Sequence, residues 1–430
     1  MIGHSDEGRL VWFAAVSNPP HLAAISPTAA TPDPWVIVPY AYMSFGPINV
    51  SWACLMRGRT MDPNPDLDIG EAIRHLPLST LPQRLGCGQI PLWDRWLAHP
   101  TLDDYWRKHA ATTYIDKVRA PVLSMAGWHD DSRGPIYYTN FLLRQKNHPN
   151  WHIVMNPGAH KGVDYVAGDF GPQARYAFRD LQIRWFDHYL LGKNNGVDTL
   201  PHIDDFVMGD NVWRQENEWP LARQRLTKFY ISSGGHAQTS NGDGVLDSVP
   251  PTAGTATAGT AAVGTATAGT AAANTAASDT FTYDPADPTP YLIDSRELEE
   301  SLNEDYTELN ATRRDALVFT SAPLTRPLEV TGEMTARVWA ATDRTDTDWT
   351  IMLLDVFPDG HAERVQDGLV RARFRNSMSK AVPVVPGRVY AYDIDVWFTS
   401  QVFPPGHRLQ GPRPQLALPP PPSLPSSRFS

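Results

Sequence analysis

Two architectures in series are predicted for this 430-residue chain: an α/β layer in its first half and an all-β sandwich in its second. Three observations predict them. Pro121-Val122-Leu123-Ser124-Met125-Ala126 and Trp151-His152-Ile153-Val154-Met155 are short, nearly continuous apolar runs, the pattern of strands buried on both faces of a parallel sheet. Segments of helical period accompany them. From about residue 225 the period changes, and Leu226–Ser232, Ala316–Thr320, Thr335–Ala340, Thr350–Val356 and Val389–Trp397 are short β-rich stretches parted by Pro, Gly and Asp turns.

Gly3-His4-Ser5-Asp6-Glu7-Gly8 opens the chain as a tight turn. Leu10, Val11, Phe13 and Ala14 then give helical spacing until Asn18-Pro19-Pro20 stops it. No strand is expected before Ser5, and Leu22 to Ile25 is a short strand candidate. Residues 31–115, rich in Pro, Trp and His, predict a helical cap inserted in an α/β core formed by residues 1–30 and 116–224. Tyr137 to Gln145 is expected to be helical. Gln173 to Leu191 places Phe178, Leu181, Trp185, Phe186, Tyr189 and Leu190 at roughly helical spacing, with Gly192 positioned to end the helix. The sandwich is expected over 225–410. An Ala/Thr/Gly insert at 251–278 and a Pro-rich tail at 411–430 lack the apolar content to bury a core and are expected to be disordered.

Composition narrows the function. Hydrophobic residues make up 42% and charged residues 20%, so most of the chain can fold around cores. The net charge of −10, with no basic stripe, argues against nucleic acid. No apolar run approaches the ~18–20 residues of a membrane span, and no basic-then-apolar leader opens the chain. A cytoplasmic location is the expectation. Cys54 and Cys87 are read as two isolated buried thiols, too few for a disulfide framework. Asp62-Pro63-Asn64-Pro65-Asp66-Leu67-Asp68 lacks the Gly and Glu of a calcium loop, and Pro149 separates His148 from His152, so no metal and no cofactor are expected. Asn241-Gly242-Asp243-Gly244 reads as a turn.

Three motifs carry chemistry. In Gly3-His4-Ser5-Asp6-Glu7-Gly8 small residues let a turn close so that a serine Oγ can project. Gly127-Trp128-His129-Asp130-Asp131 follows directly on a predicted parallel strand, where α/β enzymes place catalytic groups. Asn156-Pro157-Gly158-Ala159-His160 follows the next one. Each alone has an ordinary reading: an N-terminal turn, a helix-capping Asp, a solvated His. Together they give Ser, then Asp, then His, the chain order of an α/β-hydrolase.

These motifs resemble those of the cocaine esterase, X-prolyl dipeptidyl-peptidase and α-amino-acid ester hydrolase family. Gly3, Ser5 and Gly8 match its G-x-S-Y-x-G elbow, Gly127, Trp128 and Asp130 its G-W-x-D, and His160 its histidine motif. Phe206-Val207-Met208-Gly209, Trp219-Pro220-Leu221, Phe281-Thr282-Tyr283-Asp284-Pro285, Phe319-Thr320-Ser321-Ala322-Pro323-Leu324, Asp355-Val356-Phe357-Pro358-Asp359-Gly360 and Phe403-Pro404-Pro405-Gly406-His407 are similar too, in the family's order. The resemblance implies an α/β-hydrolase core, a helical cap and a C-terminal jelly roll, and a serine hydrolase working through an acyl-enzyme. Ser5 would attack, His160 move the proton, Asp130 orient the histidine and the Asp6 backbone N–H bind the oxyanion. Asp130 is preferred to Asp131 because it keeps the G-W-x-D spacing.

The substrate expected is a small ester or peptide, with no nucleic acid or membrane partner, and a homo-oligomer is left open. Trp93 and Trp96 of the cap, with Trp106 and Tyr105 beside them, and Trp128 are candidates for lining a substrate pocket. The chain departs from the family in three ways. Asp6 stands where the family has Tyr. The family's oxyanion tyrosine and opening strands, which lie upstream of the serine, have no counterpart, so the strand after Ala23 is expected to have an unpaired flank. Sequence after Leu409 turns Pro-rich. The expectation is a chain that begins at its catalytic serine. The alternative function is an inactive fragment whose sandwich acts as a binding module.

Overall fold

The computed structural model describes residues 1–30, 32, 49–59, 77–130, 148–158, 160, 170–251, 278–284, 287–290, 292 and 305–411. Its first layer is a six-stranded sheet in simple sequential order: β1 (Ile2–His4), β2 (Ser26–Thr28), β3 (Val122–Gly127), β4 (Trp151–Asn156), β5 (Ile203–Val207) and β6 (Val212–Glu216). The first five are mutually parallel and β6 runs antiparallel to β5. Every residue of β3 and of β4 is buried, as their unbroken apolar runs require. Their side chains alternate between two cores. Val122, Ala126, Ile153 and Met155 meet Val11, Trp12 and Ala15 of helix α1 (Ser5–Ser17) on one face. Leu123, Met125 and Val154 meet Phe178, Leu181 and Trp185 of a long helix, Phe178–Leu191, on the other. The two-residue side-chain period of a strand thus feeds a helix layer on each side. Asn18 ends α1 in a left-handed conformation, and Gly192 does the same for the later helix.

Two details differ from the sequence reading. A strand does precede Ser5: β1 pairs with β2 from Ile2↔Ser26 to His4↔Thr28, so the flank of β2 is occupied. The strand expected at Leu22–Ile25 lies further on, at Ser26–Thr28. Register decides this, because Ser26 N donates to Met1 O at 2.8 Å and Ala29 N to Met125 O at 2.8 Å, while Leu22 N turns back to Pro19 O. The helix expected at Tyr137–Gln145, the Asp62–Asp68 segment, Asp131, the 252–277 stretch of the Ala/Thr/Gly insert and residues 412–430 lie outside the described residues. Gly411 is paired in a strand, one residue into the expected tail.

Between β2 and β3 lie short helices, α2 (Asn49–Leu55), α3 (Leu81–Arg84), α4 (Pro91–Ala98) and α5 (Asp104–Lys108). They share a small core of Val50, Leu78, Leu81, Ile90, Trp93, Trp96 and Trp106. Cys54 and Cys87 are not separate thiols. They form a disulfide, with Cα atoms 5.6 Å apart and a sequence separation of 33. Packing α2 against the turn after α3 brings the pair together, which spacing along the chain does not reveal. With α6 assigned to Phe178–Leu191, the last helix is α7 (Thr307–Thr312).

The second half is a β-sandwich. One sheet has the order β12 (Ala362–Arg371), β11 (Asp348–Val356), β14 (Arg408–Gly411), β9 (Phe319–Thr320), β8 (Val245–Asp247) and β7 (Tyr230–Ser232). The other is the long antiparallel pair β10 (Leu328–Ala340) and β13 (Tyr390–Phe403). Met334, Ala336, Tyr392, Ile394 and Val396 pack against Trp349, Ile351 and Val370 between them. The sandwich is joined to the α/β sheet rather than tethered beside it. Met208 N donates to Ser400 O at 2.9 Å and Val402 N to Met208 O at 2.7 Å. Trp397 and Phe398 of β13 enter the same core as Trp128 and Trp219.

Candidate active site

Ser5, Asp130 and His160 each follow a parallel strand: Ser5 comes directly after β1, and the other two lie on the loops beyond β3 and β4. All three therefore gather at the carboxyl end of the sheet. Ser5 sits at the junction of β1 and α1 with φ of 56°, a left-handed conformation rare for a residue with a side chain. The elbow closes tightly enough to exclude side chains beside it. A Cβ on Gly8 would lie 2.4 Å from the Ala30 Cβ and 2.9 Å from Gly3 O, and one on Gly3 would lie 2.6 Å from the Glu7 carbonyl carbon.

The structure brings the three predicted residues into one line. Ser5 Oγ lies 2.7 Å from His160 Nε2, and His160 Nδ1 lies 3.0 Å from Asp130 Oδ1. The Asp130 side chain is fully buried, that of His160 is 21% exposed and Ser5 is partly exposed, so solvent reaches the line from its serine and histidine end. The acid and histidine loops are laced together. Trp128 N donates to Asn156 O at 2.8 Å, His129 N to Gly158 O at 3.1 Å, and the Asn156 side chain accepts from Gly158 N at 2.6 Å. A Cβ on Gly127 would sit 2.0 Å from Gly158 O, so glycine is what lets the two loops approach. Such an arrangement can deprotonate a hydroxyl, hold the resulting imidazolium against a buried carboxylate, and return the proton.

Two further histidines flank the line, and neither was singled out from the sequence. The His4 ring lies 5.2 Å from that of His160, with Nδ1 3.1 Å from Thr28 Oγ1. Burial, and then the neighbouring His160, hold its pKa below the ordinary histidine value. His129, adjacent to Asp130, is buried with Nε2 3.3 Å from Met208 Sδ, and burial lowers its pKa to about 3. Both are thus kept neutral, so neither competes with His160 as the cation facing Asp130. No sequence signal marked His4; its role is visible only once β1, β2 and the histidine loop are assembled.

The Asp6 side chain does not project unopposed beside the serine. Arg9 Nε donates to Asp6 Oδ1 at 2.7 Å. The proposed pocket tryptophans are placed elsewhere. Trp93 is fully buried in the core shared by the short helices, its Nε1 donating to Leu78 O at 2.9 Å, and Trp96 is 6% exposed beside it. Trp128 is 3% exposed, donates to Phe206 O at 3.1 Å and packs near Trp219. All three are buried, Trp93 and Trp96 in the core shared by the short helices and Trp128 where the sheet meets the sandwich. Trp106 is also buried, whereas Tyr105 is partly exposed and stacks on His99 at 4.3 Å. His148 and His152 do not converge: His148 stacks on Trp151, and His152 is buried 3.3 Å from Asp204. Among the described residues no group of three or more His, Cys, Asp or Glu could hold a metal ion. No helix among them is long and apolar enough to cross a membrane.

A parallel sheet with helices on both faces, a serine on a strand-to-helix elbow after β1, and a buried acid and a histidine beyond β3 and β4 define an α/β-hydrolase joined to a β-sandwich. Residues 1–162 match the X-Pro dipeptidyl-peptidase (S15) family, and residues 195–410 match the X-Pro dipeptidyl-peptidase C-terminal non-catalytic domain. The chain is 30% identical to the cocaine esterase of Rhodococcus sp. (strain MB1 Bresler), over 95% of this chain and 71% of that protein. The fold is similar to that of a selenomethionine-labelled α-amino acid ester hydrolase, with a TM-score of 0.80 at 24% identity over 97% of this chain and 69% of the other. It is also similar to an aminopeptidase from a Thaumarchaeota archaeon, with a TM-score of 0.72 at 23% identity over 96% and 68%. The chain belongs to the cocaine esterase and X-Pro dipeptidyl-peptidase family of serine hydrolases.

Proposed function

We propose that this chain cleaves an ester or amide bond of a small acyl compound through an acyl-enzyme. Ser5 Oγ attacks the carbonyl carbon while His160 Nε2 takes its proton. Asp130 holds the imidazole with Nδ1–H directed at its carboxylate and stabilises the imidazolium. The Asp6 backbone N–H donates to the carbonyl oxygen as it gains charge. The tetrahedral intermediate expels the alcohol or amine, which leaves with the proton from His160. Water, deprotonated by the same imidazole, then releases the acid and restores Ser5.

The observation that carries this reading is the 2.7 Å and 3.0 Å line from Ser5 through His160 to Asp130 on a strained elbow. The names of the relatives, a cocaine esterase and an X-Pro dipeptidyl-peptidase family, bound the substrate class to esters and X-Pro peptides. We assign residues 1–30 and 116–224 to the catalytic core, 31–115 to a cap and 225–410 to the sandwich. The test is turnover of p-nitrophenyl acyl esters and of X-Pro-p-nitroanilides by the full chain and by Ser5→Ala. Hydrolysis of one class, reduced at least ~10³-fold by the substitution, supports the reading. Equal turnover by both proteins refutes it.

A further inference from the structure

The residue after the serine poses an electrostatic problem. In the proposed reaction the Asp6 N–H faces the oxygen that becomes negative. Covalent geometry keeps an aspartate's carboxyl oxygens within about 5 Å of its own amide nitrogen. A bare carboxylate there raises the energy of the very oxyanion that the N–H stabilises.

Arg9 stands one turn further along α1. Its Nε donates to Asp6 Oδ1 at 2.7 Å and its Nη2 lies 2.6 Å from the same oxygen. The side chains are 27% and 31% exposed, so the pair is partly withdrawn from water. Burial pushes the Tyr105 hydroxyl of α5 up, and the charges of Arg95 and Arg9 partly offset that. The charge of Arg9 is thus felt at the Tyr105 hydroxyl.

We propose that Arg9 is a positioning residue for the oxyanion site: it draws the Asp6 carboxylate along α1 and neutralises it, so that the residue donating the oxyanion N–H adds no net charge where the reaction makes a negative one. The inference rests on the Ser5–His160–Asp130 reading above. The competing role for the pair is structural, an i,i+3 bridge that steadies the first turns of α1.

A double-substitution cycle separates the two, read as kcat and KM for p-nitrophenyl acetate, with the thermal midpoint of each protein alongside. Arg9→Met in the natural background is expected to lower kcat/KM roughly 10–100-fold, chiefly through kcat, because it exposes the oxyanion to an unpaired carboxylate. Arg9→Lys, which keeps the charge, is expected to retain most of the rate. In the Asp6→Asn background, where no carboxylate needs neutralising, Arg9→Met is expected to cost less than about threefold. A structural bridge predicts instead that Asp6→Asn alone, which breaks the same ion pair, is as slow as Arg9→Met; that result, an Arg9→Met equally slow in both backgrounds, or one no slower than the natural chain overturns the proposal. Ser5→Ala distinguishes this failure from that of the reading beneath it. An inactive Ser5→Ala with a background-independent Arg9→Met sinks the Arg9 role alone, whereas an active Ser5→Ala sinks both.

Discussion

Asp205→Asn is expected to leave stability unchanged in acid and to raise it above neutral pH. Asp205 lies on β5 and is 1% exposed, with Oδ2 accepting from Ser400 Oγ of β13 at 2.8 Å. Its carboxyl is therefore enclosed where the α/β sheet meets the sandwich. Burial pushes its pKa from 3.8 up to about 7, opposed by the Ser400 hydrogen bond; Glu216 adds to the rise and Arg214 opposes it. A carboxyl with a raised folded pKa binds more protons when folded than when unfolded. Its contribution is full below the unfolded value and is lost as pH rises through the folded one. The rise of about three units corresponds to about 4 kcal/mol. Asparagine cannot ionise but keeps an acceptor for Ser400. The difference between Asp205→Asn and the natural chain should thus be near zero at about pH 4 and approach about 4 kcal/mol at about pH 8. Equilibrium denaturant unfolding across that range, followed by tryptophan fluorescence, measures it. Parallel pH dependence of the two proteins would refute the reasoning, because it would mean that Asp205 titrates as an ordinary carboxylate.

Three other outcomes are expected. Replacing Cys54 and Cys87 by alanine, or reducing them, removes a cross-link across 33 residues and should cost about 4 kcal/mol of cap stability, seen as faster proteolysis of the cap with the sheet intact. Gly8→Ala should abolish both turnover and labelling of the serine, since its Cβ would meet Ala30 Cβ at 2.4 Å; adding Ala30→Gly should recover part of both. Asp130→Asn should lower kcat by roughly 10³–10⁴ with an unchanged circular dichroism spectrum, since the asparagine amide presents the wrong partner to His160 Nδ1.

Much of this architecture was legible because period and burial coincide. β3 and β4 are buried at every position, so their apolar runs are unbroken; α6 spaces Phe178, Leu181 and Trp185 one turn apart and ends on a left-handed Gly192. The site was legible because its residues follow strands in chain order. What failed depended on contacts between distant segments. β1 has three residues, too few to show a period, and exists through its pairing with Ser26–Thr28. β12, Ala362–Arg371, mixes Glu, Arg, Gln and Asp among its apolar residues and carries no clean alternation. Its Arg364 instead pairs with Asp367 at 3.2 Å. The burial of the tryptophans was not legible because a large aromatic fits a pocket wall and a small core equally well. The disulfide and His4 were invisible for the same reason: neither partner lies near the other in sequence. The Asp6–Arg9 pair was not read from the sequence, although i,i+3 opposite charges on a predicted helix are a readable signal.

The central claim is that Ser5 is an activated nucleophile in a preformed line with His160 and Asp130. Its most direct test is to treat the purified chain with a fluorophosphonate and locate the adduct by intact-mass and peptide mass spectrometry. One adduct per chain is expected, on the peptide bearing Ser5, absent from Ser5→Ala and strongly slowed in His160→Ala. A folded chain that takes up no fluorophosphonate, or takes it up at another residue, would contradict it.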